Sequence, residues 1–418
     1  MNRGSLDFDV LIIGAGPVGA SLALALDGHG ARVGLVEARP LLEPDGDASQ
    51  PSYDDKALAL SLASVRVLET LGLWSDLAGE AAGIQSVHVS QRGLLGRTRL
   101  TAGEAGVESL GQVVPARTLG AVLTGRLRRL NGVELLCPAH LERIAPGDAA
   151  SRVTVTGKEG TRELSVGLVA GADGTRSRVA ELLGLKRRQT EYGHLALAAN
   201  VTPEQPHEGR AYERFTPEGT MALLPMAGQR MGLVWAGPEA LVEELAALPN
   251  GALLERMATA LGHRLGRFTR IGARKTYPLA GSRAERVTGR RAALLGNAAQ
   301  TLHPVAAQGF NLGLRDAAML AELILEAVAV GDDAGGEAVL SRYAAMRAPD
   351  SRGTRMLTHG LVRLFEPAFA PVAHARGLGL MALDALPGVK RTFARRAMGL
   401  TGTVPRLVRG LPAAPDAP

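Results

Sequence analysis

The chain has 418 residues, 46% of them hydrophobic, 21% charged and only 3% aromatic, with a formal net charge of +6. That length accommodates two domains or one elaborated domain, with a globular core filled chiefly by Ala, Leu and Gly. The single cysteine, Cys137, excludes an internal disulfide, the scattered histidines form no metal cluster, and cations without interleaved aromatics exclude a nucleic-acid partner.

The first apolar stretch, residues 10 to 26, is broken by Gly14, Gly16, Pro17 and Gly19, and no later run approaches 18 apolar residues. No transmembrane helix is predicted, and a cytoplasmic protein is expected. The stretch instead opens a βαβ unit, "DFDVLIIGAGPVGASLALALDGHGARVGLVEARP". Val10–Ile13 has the continuous apolar character of a strand buried on both faces. Gly14-x-Gly16-x-x-Gly19 follows. The first glycine allows a tight turn, the second lets backbone approach a pyrophosphate, and the third permits close helix–strand packing. The helix N-terminus that comes next offers unpaired N–H groups to phosphate. A second strand, Val33–Val36, runs into Glu37, whose carboxylate suits ribose hydroxyls and repels a 2′-phosphate. NAD and the ADP half of FAD both fit, and NADP does not.

Residues 56–74 read as a helix around Val65, Leu68 and Leu71, and 116–130 as another. "VELLC", "HLERI" and "RVTVT" read as short strands. "LSVGLVAGADGTRSRVAELLG" repeats the opening logic of apolar strand, glycine turn with Asp173, and helix from about Ser177. From Leu195 to Tyr277 short strands dominate, with helices near 238–247 and 251–263. After "RRAALLGN" the chain turns helical, with Leu320, Leu323, Ile324, Ala327 and Val328 on one helix. The expected architecture is α/β, a Rossmann-like nucleotide domain carrying an inserted, mostly antiparallel β-sheet domain and a helical C-terminal region. The expected division is residues 1–185, 186–280, 281–335 and 336–418.

Three stations occur in order: the glycine fingerprint with Glu37, "AGADGTRSRVAELLG", and "GNAAQTLHPVAAQGFNLGLRDAAMLAE" at 296–322. Together they resemble the flavoprotein monooxygenases of the aromatic hydroxylase class. The third station and "LDALPGVKRTFARRAMGL" are similar to the ubiquinone-biosynthesis hydroxylases, nearest to the 2-polyprenyl-6-methoxyphenol hydroxylase branch. The resemblance covers most of residues 7 to 400. It implies FAD as cofactor, NAD(P)H as transient reductant, O2 as co-substrate and a polyprenylated phenol as substrate. Contact with a ubiquinone-biosynthesis complex is a further implication.

The same resemblance implies cofactor contacts from Gly14, Gly16, Pro17 and Gly19 at the first turn, and from Glu37, Ala38 and Arg39 after the second strand. Lys56, Arg117, Asp173 and Asn297 follow, then Pro304, Gly309, Asn311 and Leu312 around the flavin ring, with a helix starting near Leu312. Three positions depart from the family pattern: Ala307 replaces Gly, Asn297 replaces a carboxylate, and Lys56 replaces Arg.

The flavin carries the chemistry in such enzymes, so no catalytic base is assigned. His303 is read as a loop-stabilising residue in preference to a proton shuttle. Met221, Leu223, Pro225, Val234 and Trp235 are candidates for an apolar substrate lining, beside a plain core role. Near the C-terminus, Lys390, Arg391, Arg395, Arg396, Arg406 and Arg409 stand without an acid, and Phe393, Ala397 and Leu400 share a helical face. That pattern fits a peripheral membrane contact, a solvated basic face or a docking surface. Two other readings stay open: a hydroxylase of a soluble aromatic, and a flavin-bound scaffold subunit.

Overall fold

The computed structural model describes residues 6–41, 56–93, 95–302, 308–365 and 370–415, without the side chains of 192, 357–365 and 370–373. His303, Pro304 and Ala307 lie outside the described residues. Its first sheet has eight strands. The central path runs Thr288–Gly289, Ala292–Leu294, Gly160–Gly171, Phe8–Ile13, Val33–Val36 and Val133–Leu136. From Ala292–Leu294 to Val133–Leu136 every pairing is parallel. Phe8–Ile13 is buried at all six positions, the apolar run Val10–Ile13 covered on both faces and Asp9 paired with Arg32 at 3.0 Å. The Pro17–Leu26, Ala116–Leu127 and Gln308–Ala329 helices pack on one face, and the hairpin Ala139–Pro146/Ser151–Gly157 with the Arg178–Leu182 helix covers the other.

The second sheet has nine strands and is antiparallel apart from one pair. Its strands are Arg187–Pro203, Arg210–Thr216, Gly219–Pro225, Met231–Pro238, Phe268–Ile271, Lys275–Ala284 and the short Gln300–Thr301, joined by Ser86–Gln91 and Arg97–Thr101. The last two come from inside residues 1–185, and Ser86–Gln91 makes the one parallel pair, with Arg210–Thr216. The Glu239–Ala247 and Asn250–Leu261 helices bury one face of this sheet around Trp235, Met221 and Leu223. A small third sheet joins Ala57–Ser61, Gly111–Pro115 and Ala82–Gly83.

One expectation is corrected. Residues 56–74 are not a single helix, because Ala57–Ser61 is a strand and the helix is Leu62–Thr70. Pairing with Gly111–Pro115 holds 57–61 extended, and Ser61 ends the strand by capping the helix, its Oγ accepting from the Ser64 N–H at 3.3 Å. The C-terminal region is helical as expected: Gln308–Ala329, Glu337–Phe365, Ala370–Ala385 and Pro387–Ala397. Among the described residues no helix is long and apolar enough to cross a membrane, and no cluster of three metal-ligating side chains exists.

Candidate cofactor and substrate site

The register of the parallel sheet brings the sequence motifs to one edge. Ile13 pairs with Val36 and with Gly171, and Gly171 pairs with Leu294. Gly14, Glu37, Asp173 and Asn297 each follow within three residues of those positions, so they leave the carboxyl ends of four neighbouring strands together. Phe8–Ile13 sits between a strand that follows it directly and one far along the chain. That is the topological switch point where open α/β sheets bind ligands.

The glycines differ in what they do. Gly14 has φ +102°, and a Cβ there would meet the Ala172 carbonyl oxygen at 2.7 Å. A Cβ on Gly19 would overlap the Gly14 carbonyl oxygen. Gly16 has an ordinary φ of −62° and open space where its Cβ would project. Gly14 and Gly19 are therefore required by the protein itself, whereas Gly16 borders a space that no described residue fills. Pro17 occupies the first turn of the helix, where its missing N–H costs nothing. Glu37 braces the turn, its carboxylate accepting from the Ala15 N–H at 2.8 Å and the Arg39 N–H at 3.0 Å. Each oxygen keeps a further lone pair. Ala38 and Arg39 are exposed beyond it.

Asp173 accepts from the Val179 N–H at 3.0 Å through Oδ2, while its Oδ1 is buried without a partner among the described residues. Arg187 was not singled out by the sequence. It donates to the Asn297 carbonyl at 3.0 Å and to Ser282 Oγ at 2.7 Å, and its Nη1 is likewise buried without a partner. Burial lowers the Arg187 pKa, with Asp173 opposing. The Asn297 side chain is exposed at the same edge.

Gly296 and the Gln308–Ala329 helix dock directly on the first turn. Gly296 has φ +55°, and a Cβ on Gly313 would lie 2.8 Å from Val18 and 3.0 Å from the Gly296 Cα, so the two glycines let helix and turn touch. The chain is already helical at Gln308, one turn before Leu312. Leu312 is buried in that helix. Gly309 faces open space. The Asn311 side chain serves the protein: Oδ1 accepts from the Ser61 N–H at 2.8 Å and Ser64 Oγ at 2.7 Å, and Nδ2 donates to the Ala59 carbonyl at 2.9 Å. It fastens the helix start to the strand–helix turn at Ser61, a contact spanning 250 residues.

Lys56 lies 5.0 Å over the ring of Tyr277, bridging to the second sheet. Arg117 stands at the start of its helix, with Glu80 at 4.0 Å. The expected apolar lining is largely corrected. Met221, Leu223 and Trp235 are fully buried beneath the two helices on the far face of the sheet. Pro225, paired with Met231, shares their side, and only Val234 faces the other way. The reason is pleating: side chains one residue apart point to opposite faces, and the bulkier set went under the helices. The face turned to the nucleotide domain carries Ala196, Ala198, Ala211, Glu213, Ala222, Leu224, Val234 and Ala236. Gly232 on that face packs against Ala57.

An open space above Gly16, an Asp173 Oδ1 without a partner among the described residues and a carboxylate at Glu37 fit a dinucleotide lying across the edge. The comparisons agree. A family model described as FAD binding domain matches residues 7–357. The ubiquinone hydroxylase UbiL of Rhodospirillum rubrum is 39% identical over 407 residues, covering 97% of this chain and 93% of its own. The 3-demethoxyubiquinol 3-hydroxylase of Escherichia coli is 30% identical, covering 94% and 98%. The solved structure of p-nitrophenol 4-monooxygenase PnpA from Pseudomonas putida shares the fold, with a TM-score of 0.75 at 21% identity over 95% of this chain and 98% of that one. Both halves of the site fall inside the family match, and the chain accordingly belongs to the FAD binding domain family, as an FAD-dependent monooxygenase.

Proposed function

We propose that the chain hydroxylates the ring of a polyprenylated phenol in ubiquinone biosynthesis, with 2-polyprenyl-6-methoxyphenol as its substrate. The observation that carries this reading is the end-to-end likeness to the Rhodospirillum rubrum ubiquinone hydroxylase. When bound, reduced FAD supplies the electrons that activate O2 for insertion into the ring, with NAD(P)H as the source of hydride. The protein's part is to bind, orient and exclude water. Glu37 would hold the ribose, with Ala38 and Arg39 beside it, and the Gly14–Gly19 turn would hold the pyrophosphate. Asp173 and Asn297 would reach the middle of the cofactor, with Lys56 and Arg117 as further contacts. The Gly309–Leu312 segment would face the electron-rich edge of the ring, with the positive end of the helix turned toward it. The alanine-rich face of the second sheet would roof the ring, its small side chains leaving room for an aromatic headgroup.

Deleting the gene in its host and profiling quinones tests the assignment. Accumulation of the polyprenyl-methoxyphenol is expected, and an unchanged ubiquinone pool would overturn the reading. Accumulation of a demethoxyubiquinol would move it to a neighbouring ring position, which the relative from Escherichia coli makes the natural second reading.

A lipid-borne substrate also gives meaning to the C-terminal helices. Leu378, Met381, Leu386 and Val389 are 63%, 39%, 52% and 55% exposed, with Arg391 and Arg395 exposed nearby. Lys390 leaves the expected basic face: it is buried between Glu104 at 3.0 Å and Asp384 at 3.1 Å. Apolar side chains beside cations match an anionic lipid surface. Leu386→Asp with Val389→Asp is expected to weaken co-sedimentation with phosphatidylglycerol vesicles at least fivefold while flavin content stays constant. Equal sedimentation would defeat the membrane contact.

A further inference from the structure

On the sheet face turned to the nucleotide domain, the row from Val89 to Ala198 is apolar and small except at one position. Glu213 lies in the Arg210–Thr216 strand, paired on one side with Ala222, which pairs with Val234, which pairs with Ala198. On its other side it stands opposite Val89. Residues paired in this way share a face, and the flanking Tyr212 and Arg214 point to the opposite, helix-covered side. Ala211, two residues before Glu213, packs with Ala57 and Val113 of the nucleotide half, which fixes the direction that Glu213 faces.

Among the described residues its carboxyl makes no hydrogen bond and no ion pair. Protein surrounds it, yet it keeps accessible surface, the combination expected of a side chain that lines an internal site. Burial alone pushes its pKa up to about 8, so the group is mainly the neutral acid at neutral pH. The charged groups along its row are remote. Lys275 pairs with Ala198 four strands away, about 19 Å at ~4.8 Å per strand. Asp384 is bonded to Thr98 two strands away in the other direction and is neutralised by Lys390. Lys56 is held over Tyr277. A buried acid with no partner is costly, and a fold keeps one where a ligand completes it.

We propose that Glu213 is the polar anchor for the phenol: its neutral carboxyl donates a hydrogen bond to a ring oxygen and so selects which ring carbon faces the flavin. This rests on the phenol hydroxylase reading above and deepens it. No bond is made or broken at Glu213. It acts by orientation, because an apolar floor by itself cannot distinguish one edge of a substituted ring from another.

The test compares wild type, Glu213→Gln and Glu213→Leu as FAD holoenzymes, with 2-methoxy-6-prenylphenol as probe. The amide of Gln still donates, so its Kd for the probe is expected within about threefold of wild type, whereas Leu raises Kd about tenfold or more. With probe present, the Leu variant should release more hydrogen peroxide per NAD(P)H than wild type or Glu213→Gln. From pH 7 to 9 the wild-type Kd is expected to rise as the donor proton is lost, while Glu213→Gln stays flat below the ionisation of the phenol near about 10. The same shift acts on stability. Between 4.5 and about 8 the unfolded chain releases this proton and the folded chain keeps it, so stability falls as pH rises, and Glu213→Gln lacks that fall.

A Leu variant that binds and couples like wild type overturns the inference alone. Parallel pH profiles for wild type and Gln, or a wild-type affinity that strengthens through pH 8, overturn the donor role even if the Leu variant does not fold. A wild type that binds no phenol overturns the substrate reading and this inference with it.

Discussion

Arg347→Met is expected to destabilise the protein by about 3–5 kcal/mol and to lower its FAD content in parallel. Arg347 is 3% exposed and lies between two carboxylates, Nε at 2.7 Å from Asp316 Oδ1 and Nη1 at 2.8 Å from Asp350 Oδ2. Arg315 completes the set, holding Asp350 at 2.8 Å. Two cations and two anions thus balance inside the contact between the Gln308–Ala329 and Glu337–Phe365 helices. Burial raises the Asp316 pKa against the pull of Arg347. Burial also raises that of Asp350, but Arg315 and Arg347 together outweigh it and hold that carboxyl below its usual range. Removing one guanidinium leaves two buried carboxylates sharing a single cation, which is worse than removing the whole set.

The consequence reaches the cofactor because Asp316 Oδ2 also accepts from the Gly296 N–H at 3.1 Å. That bond fixes the turn before Asn297, and the Tyr343 hydroxyl donates to the carbonyl of Leu294, the last residue of the preceding strand, at 3.1 Å. Denaturant unfolding of the Met variant, with flavin absorbance per mole of protein, measures both effects. A variant within 1 kcal/mol of wild type would refute this account of the network.

Gly19→Ala and Gly16→Ala are expected to fail in different ways. The Gly19 methyl would overlap the Gly14 carbonyl oxygen and approach the Ala172 Cβ at 3.2 Å, so helix and strand must separate. Overpacking of this kind costs about 1–3 kcal/mol and spreads the turn. The apo-protein should melt earlier and bind no FAD. The Gly16 methyl meets nothing within 4 Å and needs no unusual φ, so the apo-protein should melt like wild type. Its methyl would instead enter the space left for a pyrophosphate, and the Kd for FAD should rise at least tenfold. Thermal melts of the apo-proteins and flavin-fluorescence titrations separate the two outcomes. Wild-type FAD affinity in Gly16→Ala would show that the cofactor does not approach the turn there.

Strand, turn and helix at residues 8–36 were legible in the sequence because each depends on neighbours in the chain. The same holds for the Ser177 cap of the Arg178–Leu182 helix. The strand at Ala57–Ser61 was missed because its five residues suit either period, and its pairing with Gly111–Pro115 decided the matter. Asn311 was noticed for its place in a motif, but its side-chain role could not be read, since its partners stand about 250 positions away. Arg187 and Arg347 carried no local signal at all.

The sequence by itself determined the cofactor turn, the acid after the second strand and the order of the segments, because backbone sterics and helix ends act over a few residues. It also determined which residues of the second sheet share a face, since pleating alternates with period two. Only the tertiary structure decided which face turns to the cofactor. The Glu239–Ala247 and Asn250–Leu261 helices claimed Met221, Leu223 and Trp235, and left Glu213 among alanines on the other side. Parity is a property of the strand, but its direction is set by what the rest of the chain packs against it.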